Sequence, residues 1–506
     1  MGRCVAVLCV PTPRAMKKTL LAVVALVAAL IAVLVVNTAR LSADRSAATV
    51  TPVAVAVDSV GAIARLAGAV KFQTVSFEEG TQPPDSAAFR ALHEHLRVSF
   101  PLVHQRLTRE IVAGLSLLYS WPGTDTTLAP VVLMGHLDVV PVIPGTEGQW
   151  TQPPYGGVVA DGFIWGRGTL DDKVSVLAVL EGAEGALRAS FQPKRTVYFA
   201  FGHDEEVGGS SARALKAELL KRGIKPPALV LDEGGAIMPG SVVGTRGTVA
   251  LVGASEKGFL SLQLTVRGTG GHSSTPPPHT AIGRLAAAIT RLEGEPFPLV
   301  LDGPAKEMME RLRGGMPYAQ RLALSNLWLF GPLVTRGMAQ QPASAAMLRT
   351  TTAVTIINGG VKANVLPIEA RATVNFRIRP GETMASVTDY VKRVIADTGV
   401  HVEPVGFRTD PSPVSDAHGT GFAAIEKSLR EVFPESGLVV TPYLVTGGTD
   451  ARNWSDVSNQ TFRFLAAPMT ADALTRAHGT NERVGVGGYV TAVRFYERLL
   501  RNVDAM

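Results

Sequence analysis

An α/β fold with a central, largely parallel sheet, interrupted by an inserted α+β sandwich, is what the sequence predicts. Three observations predict it. Between residues 58 and 255 short, near-continuous apolar runs alternate with helical patterns, as expected of strands buried on both faces. Around residue 256 the runs become strictly alternating, in 260–266 (LSLQLTV) and 370–378 (ARATVNFRI), which marks half-buried strands of a second sheet. From about 412 the first pattern returns. The chain therefore divides into an N-terminal signal-anchor or signal peptide (1–43), a linker (44–57), one α/β domain (58–255 with 409–506) and an inserted domain (256–408).

The elements follow in order. Lys17-Lys18 precedes seventeen uncharged apolar residues, 20–36, which as a helix span about 26 Å, close to the ~30 Å of a bilayer core. An uncleaved signal-anchor and a cleaved signal peptide both fit this pattern. In either case the lysine pair stays on the cytoplasmic side and residues 44–506 are exported, to be membrane-anchored or secreted. Met16 reads as a start, with residues 1–15 ahead of it. Helical patterns lie near 58–69 and 86–98, a strand at 130–134, a helix at 172–189, a strand at 195–201, a helix at 210–222 and a strand at 228–231. Helices at 280–293 and 384–397 accompany the alternating strands. Residues 295–350 interrupt that region as an insertion without a clear period. Helix 420–432, strands 437–440 and 461–464, and a final helix at 487–502 complete the first domain.

Charge and cysteine content exclude several functions. The net charge of +6 would suggest nucleic acid as a partner, but residues 1–43 hold five Lys or Arg and no acid. The rest of the chain is within one charge of neutral, so no nucleic-acid partner is expected. The two cysteines, Cys4 and Cys9, both precede Met16, which excludes a disulfide framework and thiol catalysis.

Five segments end apolar runs with carboxylates or histidine: 135–141 (GHLDVVP), 166–173 (GRGTLDDK), 202–209 (GHDEEVGG), 231–235 (LDEGG) and 476–482 (RAHGTNE). One acidic loop is usually just solvated. Five at successive strand ends concentrate negative charge in one crevice, which is tolerable when cations occupy it. Imidazole with carboxylate and no thiolate suits zinc or a neighbouring divalent metal. By contrast, His93 and His95 read as solvated positions on an amphipathic helix, and His203 as a packing or hydrogen-bonding residue.

In these segments, their order and their spacing the chain resembles metallopeptidase family twenty, the aminoacylase, acetylornithine deacetylase, desuccinylase and carboxypeptidase group. The likeness runs from about residue 60 to the C-terminus. It is greatest to the branch of carboxypeptidase S and the secreted N-fatty-acyl-amino-acid hydrolase/synthase, through GHLDVVPV, GRGTLDDK, GHDEEVGG, GHSSTPP and NFRIRPGET. The resemblance implies a di-zinc catalytic domain, with Co2+ or Mn2+ able to substitute, and an inserted lid or dimerisation domain. It assigns His136 and Asp232 to one zinc, Glu206 and His478 to the other, and Asp171 to both, with a cis bond to Asp172. Asp138 would orient His136. Glu205 would be the general base, taking a proton from a metal-bridging water and delivering it to the leaving nitrogen. His272 would stabilise the oxyanion, Asn364 and Arg377 would hold the substrate's free carboxylate, and Gly448 would line the site.

The expected reaction is hydrolysis of an amide next to a free carboxylate, in a small peptide or an N-acyl amino acid. The same site run in reverse would condense fatty acids with amino acids. An inactive binding module on the same fold would have lost a ligand or the base, and every one is present. A homodimer through the inserted domain is one expectation, which the 295–350 insertion leaves open.

Overall fold

The computed structural model describes residues 13–43, 50–77, 81–435, 437–470 and 472–506. Cys4, Cys9 and the first part of the 44–57 linker lie outside them. The apolar N-terminal stretch is one helix, Pro13–Ala43.

The central sheet has nine strands. Along it run 108–112, 116–121, 197–202, 131–136, 229–232, 461–463, 248–256 and 439–445, with 236–239 paired to 248–256 off that path. Strand 131–136 is parallel to both 197–202 and 229–232, 229–232 is parallel to 461–463, and 439–445 is parallel to 248–256. The first two strands form a hairpin through Ala113 and Gly114, both with positive φ, and the second is antiparallel to 197–202. The sheet is therefore mixed rather than largely parallel. Its centre, where the site forms, is parallel from 197–202 through 461–463, and the 439–445 edge adds one more parallel pair.

Strand alternation gives the central strands two buried faces. Val131 and Leu133 face one core with helices Lys173–Arg188, Thr420–Val432 and Val486–Asn502, whereas Val132 and Met134 face helix Ser210–Lys221 and Trp454. Helix Lys173–Arg188 buries thirteen of its sixteen residues. At Gly182 a Cβ would come within 2.8 Å of the Glu497 backbone nitrogen, so glycine lets the C-terminal helix pack close.

A second, four-stranded antiparallel sheet runs 351–358, 369–378, 258–267, 400–409. Leu260, Leu262, Leu264 and Val266 meet Ala372, Val374 and Phe376 beneath helices Ala281–Gly294 and Met384–Ile395. The Thr280 hydroxyl caps the first helix by accepting from Gly283 N, and Thr383 with Ser386 forms a capping box on the second. The 295–350 insertion is helical: Gly303–Leu312, Tyr318–Ser325, Leu327–Met338 and Pro342–Leu348. Its Met308, Leu312, Met316 and Leu324 pack on Met238, Val249 and Leu251 of the first sheet, not on the second.

Candidate active site

Parallel strands deliver their carboxyl ends to one edge of a sheet, where loops can converge. His136 ends strand 131–136, and Glu205-Glu206 follow strand 197–202 in a short 3-10 turn. Asp232 ends strand 229–232. Asp171 comes from the loop after strand 163–165, and its bond to Asp172 is cis. His478 comes from the loop before strand 483–485, in a left-handed conformation (φ 61°).

The geometry centres on Asp171. Its Oδ1 lies 3.0 Å from His136 Nε2 and its Oδ2 2.9 Å from His478 Nε2. Glu233 Oε1 stands 3.4 Å from His136 Nε2, and Glu206 Oε2 stands 3.1 Å from His478 Nε2. One carboxylate is thus shared by two imidazoles, each of which has a further carboxylate of its own. Ligand-competent atoms of His136, Glu205 and Glu233 lie within 4.8 Å of one another, as do those of His136, Asp171 and Glu206. Glu206 Oε1 is buried without a hydrogen-bond partner among the described residues, an orphaned acceptor of the kind a cation satisfies. These residues fit divalent metal ions.

The surroundings hold this arrangement. His136 Nδ1 is 3.0 Å from the Asp138 carbonyl and 3.3 Å from its carboxylate, which leaves Nε2 facing the cluster. The same buried Asp138 carboxylate accepts the backbone N–H groups of Glu205 and Glu206, each at 3.2 Å. Burial would raise the Asp138 pKa, but the bonds from His136, Ser76 and the Glu206 backbone bring it below its ordinary value. Desolvation in the cleft, and after it the Asp450 carboxylate, push Glu205 well above the ordinary carboxylate range. Asp450 itself is buried with neither oxygen hydrogen-bonded among the described residues, and burial followed by Asp232 pushes it up to about 8.

A buried ion pair ties two of the loops together. Arg167 donates to Glu482 and to the carbonyls of His478 and Gly479, while Glu482 Oε1 accepts from Leu170 N (2.8 Å) and Asp171 N (3.3 Å).

His136, Asp138, Asp171, Glu205, Glu206 and His478 come together as the sequence pattern suggests. Asp232 does not join them. Its Oδ2 accepts from Ala451 N at 2.7 Å and its Oδ1 from Glu233 N at 3.0 Å, and Glu233 takes the place against His136. Asp232 shares the parity of Val230, which faces the Trp454 side, so its carboxylate meets the 449–451 turn. LDEGG offers two adjacent carboxylates, and strand parity alone would have favoured Asp232, since Val230 pairs with Val132 on the face that His136 shares.

From the inserted region, His272 and Asn364 are exposed, the His272 ring is hydrogen-bonded to Ser274 at 2.8 Å, and neither joins the cluster. Arg377 stacks over Phe259 (4.6 Å), Phe259 contacts Phe407 (5.8 Å), and Arg452 stacks over Phe407 (5.3 Å). Neither guanidinium has a carboxylate partner among the described residues. Burial, and then the Arg452 charge, lower the Arg377 pKa. A Cβ at Gly448 would stand 2.8 Å from Arg452 Nη1, so this glycine gives Arg452 its room. Glu233 and Arg452 are the residues at the site that the sequence reading passed over.

The two histidines read as solvated are corrected: His95 is half-buried, with its Nε2 2.8 Å from the Arg65 carbonyl. His93 is buried, not solvated, and burial lowers it to about 4. His203 does hydrogen-bond, with Ser116 at 2.7 Å.

Known proteins resemble this chain in sequence and fold. The chain is 40% identical to the probable carboxypeptidase S-like 2 of Dictyostelium discoideum over 450 residues, covering 87% of this chain and 84% of that one. It is 39% identical to the N-fatty-acyl-amino acid synthase/hydrolase PM20D1 of Mus musculus over 444 residues, covering 87% of each. Among solved structures, the M20 family metallo-carboxypeptidase Sso-CP2 from Sulfolobus solfataricus superposes with a TM-score of 0.62 at 18% identity, covering 88% of this chain and 99% of that one. The profile of peptidase family M20/M25/M40 matches residues 132–502. The chain belongs to that family, as a metal-dependent hydrolase of an amide or peptide bond beside a carboxylate.

Proposed function

We propose that the chain cleaves the amide of N-acyl amino acids and short peptides next to their free carboxylate. The observation that carries this reading is the Asp171 carboxylate shared between His136 and His478, beside Glu205. His136, Asp171 and Glu233 would hold one Zn2+, and His478, Asp171 and Glu206 a second, with Co2+ or Mn2+ able to substitute. When bound, the two cations supply Lewis acidity for the scissile carbonyl and for water. Glu205 takes the proton of the attacking water and hands it to the leaving nitrogen. Asp138 keeps His136 in orientation and fixes the Glu205-Glu206 turn. Arg377 receives the substrate carboxylate with Asn364, and Arg452 faces the same cleft as a second guanidinium. His272 donates to the oxyanion of a neighbouring copy in a homodimer through the 256–408 region.

The test is hydrolysis of an N-acyl amino acid against the same compound with its carboxylate amidated. Dialysis against a chelator abolishes turnover and added Zn2+ restores it, while the amidated substrate is poor throughout. Equal rates on both substrates would overturn the carboxylate assignment. Arg377→Met lowers kcat/KM on the free acid by about 10- to 150-fold, the loss of one charge-assisted hydrogen bond at ~1.5–3 kcal/mol, and leaves the amidated substrate unaffected.

Asp232 and Glu233 are separated by metal content. Glu233→Ala loses bound metal. Asp232→Ala keeps it but loses about 1–3 kcal/mol of stability, because the amides of Glu233 and Ala451 lose their acceptor. The reverse pattern would restore Asp232 as the ligand.

The same site operates in the condensing direction when fatty acid and amino acid are abundant, as the name of the mouse relative describes for that protein. Measuring both directions with one preparation gives the ratio. For location, Met16–Arg40 acts as a membrane anchor that leaves the catalytic region outside the cytoplasm. Protease added to right-side-out vesicles then digests that region.

A further inference from the structure

The N-terminal helix is bare over most of its length and, among the described residues, meets the rest of the chain near its end. Met16–Arg40 is long and apolar enough to cross a membrane, with none of its apolar core buried. Further along, Leu34 and Asn37 are half-buried and Thr38 is buried. The junction is built on Asn326, a buried side chain. Asn37 Nδ2 donates to Asn326 Oδ1 at 2.9 Å, and Asn326 Nδ2 donates to the carbonyls of Leu34 (3.2 Å) and Leu322 (2.9 Å). Asn326 stands between two helices of the insertion, Tyr318–Ser325 and Leu327–Met338.

The second of these helices is unusual. None of its twelve residues is buried, although its sequence is LWLFGPLVTRGM. Trp328 is 63% and Leu333 66% exposed, and Leu329 is exposed beside them. The flanking charge is one-sided: residues 312–350 contain Arg313, Arg321, Arg336 and Arg349 and no Asp or Glu, while Arg311 before them is paired with Glu307. An apolar helix face with a surplus of arginine fits an anionic lipid surface, with tryptophan at the level of the head groups. The junction supplies the placement. The apolar run of the N-terminal helix ends at Val36, so Asn37 and its partner Asn326 stand where that helix would leave the hydrocarbon. Leu327 follows directly.

We propose that helix Leu327–Met338 docks on the anionic surface of the membrane that the N-terminal helix crosses, as a second contact that fixes how the catalytic region sits on the bilayer. This rests on Met16–Arg40 being an anchor. An acidic protein covering the same face would instead leave Trp328 unquenched by bromolipid.

The test uses the full chain in phosphatidylglycerol/phosphatidylcholine vesicles containing lipid brominated near the head group, a short-range quencher of indole emission. Trp121, Trp150, Trp165 and Trp454 are buried, so Trp328 is the exposed reporter among the five tryptophans. Bromolipid is expected to quench part of the emission, and Trp328→Phe to lose that part while hydrolysing a soluble substrate at the unaltered rate. Alkaline carbonate extraction of the same vesicles reports the anchor. A chain that resists extraction, but whose quenching is absent or unchanged by Trp328→Phe, overturns the docking and leaves the anchor standing. Quenching that is equally strong on purely zwitterionic vesicles overturns the anionic surface as the partner. A chain stripped by carbonate removes both the anchor and the docking.

Discussion

Glu205→Ala is expected to lower kcat by about 10²–10⁴-fold, the range of a positioned general base, while metal content stays at the wild-type value. The separation follows from the geometry. The two imidazoles are engaged by Asp171, Glu206 and Glu233. Glu205 is tied by its backbone to Asp138, and its carboxyl is pushed towards its protonated form by the cleft and by Asp450. A carboxylate whose pKa is raised above the usual range is the stronger base and, once protonated, can return the proton to the leaving nitrogen. Glu205→Gln keeps the shape and removes the basicity, so it should be as inactive as the alanine variant. Metal analysis beside steady-state kinetics decides the matter: loss of metal in both variants would make Glu205 a ligand instead of the base, and full turnover in either would remove it from the mechanism.

The second large effect is on stability. Removing one partner of a buried ion pair costs about 3–5 kcal/mol, because the other charge is left uncompensated in the interior. Arg167 and Glu482 are such a pair, both almost inaccessible. Glu482→Ala also strips the acceptor from the amides of Leu170 and Asp171, and it leaves Arg167 holding the His478 and Gly479 carbonyls alone. Denaturant unfolding of the metal-free protein should therefore show a loss of that order. Metal affinity should fall with it, since Asp171 and His478 ride on the two loops the pair joins. Glu482→Gln restores the acceptor but not the charge and should recover part of the stability. Unchanged unfolding in Glu482→Ala would mean that the loops are held by their other contacts.

Much of this was legible without a structure because the metal-side chemistry lies in short contiguous segments. GHLD, TLDD and HDEE each follow or flank an apolar run, and a strand followed by a tight loop presents its residues in a set order. The second sheet was equally readable: alternation at 260–266 and 370–378 is a local property of the chain, and the strands there span Gly258–Arg267 and Glu369–Ile378. The insertion was not readable. Helices Gly303–Leu312 and Tyr318–Ser325 bury apolar residues against a distant sheet and Leu327–Met338 buries none, so their pattern has no meaning until those partners are in place. His93 misled for the same reason, its burial being set by neighbours far along the chain.

By itself the sequence determined the class of fold, the alternation of strands and helices, and which loops carry imidazole and carboxylate, because strand and helix periods and residue chemistry are local. Only the tertiary structure decided that Glu233 faces His136 while Asp232 turns to the 449–451 turn, and that Arg452 meets Arg377 across two phenylalanine rings. It also decided that Glu482 joins the loops of Asp171 and His478. Each of these depends on which way a side chain points relative to a segment up to about three hundred residues away. That direction is set by packing and by the satisfaction of buried polar groups, which no single segment contains.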